Sequence, residues 1–289
     1  MAAVAFNGQV IGLSALSSSS VPVAFCRAVT GGSFSCDFGQ IVKKGVGAQK
    51  SKRKGTTDAT LQFSCVGVSK TDVARWWPTT AGAQVAAFLD FLVEVDDGTN
   101  GLELKLTSCQ PGACTIAVAE NDEITYDFEV KVQLVTSQAA GTAACVYTSL
   151  KGHTINDVTV EVSSAAFGVM DFSIANGMTL AMHNPMDGKT ATLKTWPVAW
   201  VINTMDPVLS MTTDEQYNYG NWWDDTNTEV DVVIGLVNGT SAENVTITCD
   251  NFSQDEGTIV PLEPEPGVVG FPSTWSAGSG KVYNRVQFA

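Results

Sequence analysis

Apolar and polar residues alternate one by one in most of the strand-like segments of this chain. Val21–Phe25 (VPVAF), Ala59–Phe63 (ATLQF) and Val158–Val162 (VTVEV) read as short strands of this kind, and longer strands are expected over Phe88–Val95, Glu123–Leu134, Glu229–Val237 and Lys281–Phe288. A period of two puts alternate side chains on opposite faces of a strand, one toward a core and one toward solvent. That pattern is typical of antiparallel sheets with one covered face. Thr71-Asp72 and Thr213-Asp214 each open a short segment that ends in a tryptophan pair, Trp76-Trp77 and Trp222-Trp223. Thr and Asp are favourable helix N-caps, so each segment is predicted to be one short helix among strands.

The predicted elements come twice, in one order. Val21–Phe25 matches Val158–Val162, Ser33–Asp37 matches Asp171–Ala175, and a glycine follows each second strand, Gly39 and Gly177. After a long loop Ala59–Phe63 matches Ala191–Thr195, then the Trp pairs match. The next strands end at Gly98-Thr99 and Gly239-Thr240, the following ones at Cys109 and Cys249, and the closing strands hold Tyr126 and Tyr283. A recurring order of this kind is the mark of an internal duplication. It divides the chain into an N-terminal arm (1–20), a first β domain (21–135), an Ala/Gly/Ser/Thr-rich linker (136–155) and a second β domain (156–289). Each domain is expected to be a β-sandwich or half-barrel with one short helix.

Composition narrows the function. The chain has 289 residues, 44% hydrophobic and 16% charged, which excludes a disordered chain and suits two domains. Its net charge of −14 is uneven: residues 1–150 carry 11 basic and 13 acidic groups, residues 151–289 carry 5 and 17. An acidic protein does not hold nucleic acid by neutralising phosphates. Seven Cys with no CxxC spacing point to free thiols in a reducing compartment rather than a disulfide framework or zinc site. Met1–Leu16 is apolar but has no Lys or Arg, unlike a secretory signal, and no run of 18 apolar residues occurs, so no membrane partner is expected.

One stretch runs against the acidic trend. Lys43–Gly55 (KKGVGAQKSKRKG) holds Lys43, Lys44, Lys50, Lys52, Arg53 and Lys54, six of the 16 basic residues. With no apolar pattern and three Gly it is expected to be flexible in an isolated subunit. A solvated loop and a nucleic-acid patch are two readings of it. The preferred one is an arm that docks on the acidic half of a neighbouring copy, because the chain carries both sides of an electrostatic match. The corresponding loop of the second domain, Met178–Lys189, is shorter and nearly neutral, and contains His183, Asn184, Asp187 and Lys189.

Nothing in the sequence signals catalysis. The two His, His153 and His183, have no ligand-spaced partner, and no phosphate-binding loop, dinucleotide fingerprint, nucleophile elbow or zinc-protease motif is present. Asp96-Asp97 and Asp224-Asp225 do not continue into an alternating calcium loop. The chain is therefore expected to be no enzyme and to use no cofactor or metal. In each Trp pair one ring is expected to fill a core and the other to lie at a subunit contact, with sugar or base stacking as the rival reading.

The order strand pair, long loop, strand, Asp-led helix, strands resembles the tail tube (major tail) proteins of long-tailed bacteriophages. The second half resembles them most, from Asp171–Met178 (DFSIANGM) through Met205-Asp206-Pro207 to Thr213–Glu215 and Trp222-Trp223. The resemblance implies a structural subunit of the virion tail, assembled in the host cytoplasm into stacked rings whose sheets close into one barrel. With two tube domains per chain it implies a pseudo-hexameric trimer. Its partners would be itself, other tail proteins, and double-stranded DNA passing through the lumen without specific binding. The alternatives are a capsid decoration or adhesin module, or a carbohydrate-binding module using the Trp pairs.

Overall fold

The computed structural model describes residues 9–16, 22–37, 40–44, 50–78, 89–96, 101–118, 122–139, 150–183, 196–197, 199–215, 229–240, 242–257, 270–277 and 285–289. The protein is mainly β. Its first half contains β1 (Gln9–Leu16), β2 (Pro22–Ala24), β3 (Cys26–Asp37), β4 (Gln40–Lys44), β5 (Lys50–Lys54), β6 (Asp58–Val68), β7 (Leu89–Asp96), β8 (Gly101–Val118) and β9 (Thr125–Ala139). Its second half contains β10 (Val158–Val162), β11 (Ala165–Phe167), β12 (Val169–Ala175), β13 (Thr179–His183), β14 (Ala199–Thr204), β15 (Val208–Thr213), β16 (Val230–Leu236), β17 (Val245–Gly257), β18 (Phe271–Ser276) and β19 (Val286–Phe288). One short helix, α1 (Lys70–Val73), runs into a 3-10 turn through Trp76. Its N-cap is Ser69, whose hydroxyl accepts the Asp72 N–H, one residue pair upstream of the expected Thr71-Asp72 start. The second predicted helix does not start where expected: Thr213 ends β15 and Asp214 and Glu215 follow it as a bend, while the rest of that segment, Trp222 and Trp223 included, lies outside the described residues.

Fifteen strands form one large antiparallel sheet. In the first half they lie side by side as β2-β1-β7-β8-β9-β6-β3, and in the second as β11-β10-β16-β17-β18-β15-β12. A separate two-stranded ladder, β4/β5 or β13/β14, leaves each half between its last two strands. The alternation of the sequence becomes burial: Leu61, Phe63 and Cys65 of β6 are covered, while Thr60, Gln62 and Ser64 face outward. Phe25, Phe63, Trp76, Phe91 and Phe128 form one aromatic cluster, with Phe25 edge-on to each of the other four at 5.4–5.7 Å. Rings in this geometry add attraction beyond the area they bury.

Several matched segments fall differently from expectation. The 1–20 region is not only an arm: β1 lies within it, pairing with β7 as β10 pairs with β16. Its small residues, GLSAL, carry little period-two signal. Ala191–Thr195 lies outside the described residues, and the strand standing where β6 stands is β15. The long β9 finds its place taken by two strands, β18 and then β19, both along β17. The basic stretch is a hairpin in its backbone, because the ladder between β3 and β6 is followed directly by that between β4 and β5. Thus Lys43 stands opposite Ser51, Lys44 opposite Lys50, and Lys52, Arg53 and Lys54 opposite Val42, Ile41 and Gln40.

Candidate assembly interface

The two halves meet strand to strand. β8 carries β9 along one edge, while its other edge is shared: Gly101–Cys109 pairs with β7, and Thr115–Val118 pairs with β12. At this joint Phe172 stands opposite Val118 and Ile174 opposite Ile116, all four buried. Such a ladder satisfies the backbone groups of a strand edge that would otherwise be open to any other chain.

Asn176 closes the joint. It is fully buried, and its Oδ1 accepts the N–H groups of Cys114 and Met178, each at 3.0 Å. Its Nδ2 donates to the carbonyls of Trp76 at 2.9 Å and Gly112 at 3.0 Å, and its own N–H donates to Cys114 O at 3.0 Å. A buried amide with every one of these groups paired locks one arrangement, since any slip leaves several polar groups unpaired. Trp77 adds an apolar contact across the halves, its ring 5.5 Å from Phe288.

The segment 150–157, of which 150–155 are the expected end of the linker, is packed between the halves. Ile124 N donates to His153 O at 2.8 Å on one side, and Val237 N donates to Asp157 O at 2.9 Å on the other. The buried Glu243 carboxylate accepts the N–H groups of Lys151 at 2.8 Å and Gly152 at 2.7 Å. Beside it the imidazole of His153 is fully covered, and neither ring nitrogen makes a well-formed hydrogen bond. Burial holds the His153 pKa below the ordinary imidazole value, outweighing the carboxylates of Glu243 and Asp157 and the backbone at Leu236.

The outward face of the sheet is polar and acidic. Across β6 and β9 it presents Asp58, Gln62, Ser64, Asp127 and Glu129; across β12, β15, β17 and β18 it presents Asp171, Ser210, Thr212, Glu256 and Thr274. Gln62 Nε2 donates to Glu129 at 3.1 Å, Ser64 donates to Asp127, and Thr212 donates to Asp171 at 3.1 Å. Lys131 is a basic group on this face, tied to Thr60 at 2.8 Å and to Asp58 at 3.5 Å. A shallow furrow crosses the face in each half, over Ser33, Gln62, Ser64 and Asp127 in the first and Asp171, Ser210, Thr212 and Pro272 in the second.

The structure gathers few of the residues singled out from the sequence. Trp76 and Trp77 are both buried, Trp76 in the aromatic cluster with its Nε1 donating to Glu129 O at 3.0 Å. His183 ends β13, exposed, opposite Ala199. Asn184, Asp187 and Lys189 lie outside the described residues. The β13/β14 hairpin reaches over β9: Gln133 Nε2 donates to Pro197 O at 3.3 Å, and Lys131 Nζ sits 5.3 Å from the Trp200 ring. Asn176, His153 and Glu243 carry no local signal; Asn176 was visible only as one letter of the DFSIANGM stretch.

Among the described residues no group of three or more His, Cys, Asp or Glu is placed to hold a metal. The thiols of Cys65, Cys109, Cys114 and Cys249 are pushed up by burial, away from the reactive thiolate. Among those residues, too, no helix is long and apolar enough to cross a membrane. Compared with known proteins, the sequence matches no protein-family model and no curated protein at a significant level.

Proposed function

We propose that this protein is a structural subunit of a phage tail tube, built from two tandem copies of one β domain and assembling into stacked rings that enclose a channel for DNA. The observation that carries this reading is the repeated strand order with the edge-to-edge joint of β12 on β8. A unit that joins a sister unit through its sheet edge inside one chain has the means to join another outside it. A head-to-tail contact of this kind is heterologous, and repeated with a constant rotation it closes into a ring. Closure covers exposed edges, which are otherwise a hazard. Three chains supply six β units, a trimer with pseudo-hexameric symmetry.

The acidic outward face supports the rest of the reading. A wall past which DNA slides must avoid phosphate contacts, because each one adds affinity and slows passage. Small hydroxyl and amide side chains with carboxylates such as Asp127, Glu129, Asp171 and Glu256 make a surface of that kind. The basic β4/β5 hairpin and the acidic second half suit contacts between subunits or rings, and other tail proteins would meet the ends of the stack. The site of action is then the virion tail. Negative-stain electron microscopy of the purified chain tests the proposal. Stacked rings with a central channel are expected; compact monomers at every concentration and salt condition contradict it.

A further inference from the structure

The 150–157 segment is fastened to both halves through its backbone. Besides the bonds made by His153 O, Asp157 O and the Lys151 and Gly152 amides, Ile155 N donates to Asp122 O at 3.3 Å, and Asn238 Nδ2 donates to Gly152 O at 2.7 Å. Two glycines set the crossing. Gly67 and Gly152 have φ of 64° and 78°, and their backbones lie close together. A Cβ on Gly67 would strike Arg27 and crowd Gly152 N, and one on Gly152 would strike the Glu123 carboxylate. The segment is a close-fitting strap, a connection between the halves separate from the β12–β8 joint.

The side chain at the middle of the strap is the one least suited to its place. The His153 ring is fully covered and both its nitrogens lack a partner. The Glu243 carboxylate and the backbone at Leu236 face it from the second half, and the Asp157 carboxylate faces it from its own segment. Both carboxylates are already engaged. Glu243 accepts from Lys151 N, Gly152 N and Asn238 Nδ2, and Asp157 accepts from the Thr154 N–H at 2.8 Å and hydroxyl at 3.1 Å. On the first half, Arg27 holds Glu123, Asp122 accepts the Glu123 N–H at 2.8 Å, and the buried Tyr126 lies near Glu243. Asp171 of β12 is on the outward face, bonded to Thr212. A proton on His153 thus finds no free acceptor, and the charged ring favours any strap conformation that brings it to water.

We infer that the strap is an acid-released latch with His153 as its sensor: when the ring takes up a proton, residues 150–157 leave Glu243, Ile124 and Val237 while the β12–β8 joint stays closed. Apart from Gly152, His153 is the one buried residue of the strap, so opening it exposes little apolar area and lies far below the unfolding of either sheet. The joint does not respond to the same proton, because Asn176 bonds only amide and carbonyl groups there. Release leaves the two halves joined along one ladder and freer to hinge about it. The latch stands independently of the tail-tube reading.

Hydrogen exchange of the unaltered chain between pH 7.5 and 5.5, corrected for the intrinsic rate, tests the latch. The open strap binds a proton near pH 6.5 that the closed strap refuses, so acid favours opening. The amides of Ile124, Lys151, Gly152 and Val237 should lose protection by up to about tenfold over this range, while those of Asn176 and Met178 hold theirs. His153→Phe should abolish the pH dependence. If that variant does not fold, the imidazole resonances of His153 in the unaltered chain decide: their midpoint should lie below that of a free histidine side chain, about 6.5. Protection that is constant with pH, a loss shared equally by Asn176 and Met178, a loss that survives His153→Phe, or a midpoint at or above the free value would each overturn the latch.

Discussion

Asp90 and Asp231 do the same task in the two halves of the chain: each carboxylate accepts the N–H of a bulged residue on the next strand, Ser108 at 2.9 Å and Asn251 at 3.0 Å. Both bulged residues have left-handed backbone, φ 53° and 52°. Each sits at a one-residue slip, between Leu89 and Phe91 opposite β8 and between Val230 and Val232 opposite β17. A bulge turns the strand and frees its far end to pair elsewhere. In the first half, that freed end is the segment that holds β12.

These bulges can be tested as structural devices. Asp90→Ala and Asp231→Ala should each lower stability by about 1 kcal/mol, the usual net worth of such a hydrogen bond. Ser108→Gly and Asn251→Gly should be neutral or stabilising, because glycine adopts positive φ without strain. Urea denaturation of the four variants measures this; a destabilising glycine alongside silent alanines would reverse the assignment.

Asn176 should be the most sensitive polar residue of the joint. Asn176→Leu leaves the Cys114 and Met178 N–H groups and two carbonyls without the partner they have, and should cost at least about 3 kcal/mol. Asn176→Asp keeps the acceptor but loses both donated bonds, so it should fall between. Thermal unfolding of the variants provides the comparison.

His153 gives the fold a pH dependence. Burial lowers its pKa, so the folded chain holds the ring neutral while the unfolded chain protonates near pH 6.5. A depressed folded-state pKa gives full stability above the unfolded value and loses it as pH falls below that value toward the folded one. Tm should therefore be level near pH 7–8 and decline from about pH 6.5 downward. His153→Phe, of similar shape and without a buried unsatisfied nitrogen, should flatten the profile between about pH 5 and 7. A profile unchanged by the substitution would assign the decline to other groups.

The tryptophan pair of the first half should act through packing. Trp76→Ala removes the ring packed 4.4 Å from Phe128 and should cost about 3–5 kcal/mol. Its indole, fully buried, should show no fluorescence quenching by oligosaccharides. Saturable quenching would favour the carbohydrate-binding alternative.

The elements were legible in the sequence where the signal is local. Alternation marked β6, β9, β10 and β16 because one face of each is covered, and the Trp pair marked the end of the first short helix. What was not legible depends on partners far along the chain. β1 hid in a run of small residues, since nothing in GLSAL distinguishes strand from arm. The strand that stands where β6 stands is β15, VLSMTT, whereas the sequence match fell on ATLKT, which lies outside the described residues; short threonine-containing segments of similar pattern do not reveal which of them pairs. The Ser108 and Asn251 bulges have no glycine to announce them. The joint of β12 on β8 is a pairing of segments more than fifty residues apart, and Asn176 and His153 owe their roles to what surrounds them there.

The most direct measurement is the mass of the assembled ring set beside its image down the axis. Native mass spectrometry of rings released from the stack should give three 30.5-kDa chains, while averaged micrographs show six similar lobes around one channel. A ring of six chains, or a particle of any size without a channel, would contradict a tube built from paired β units.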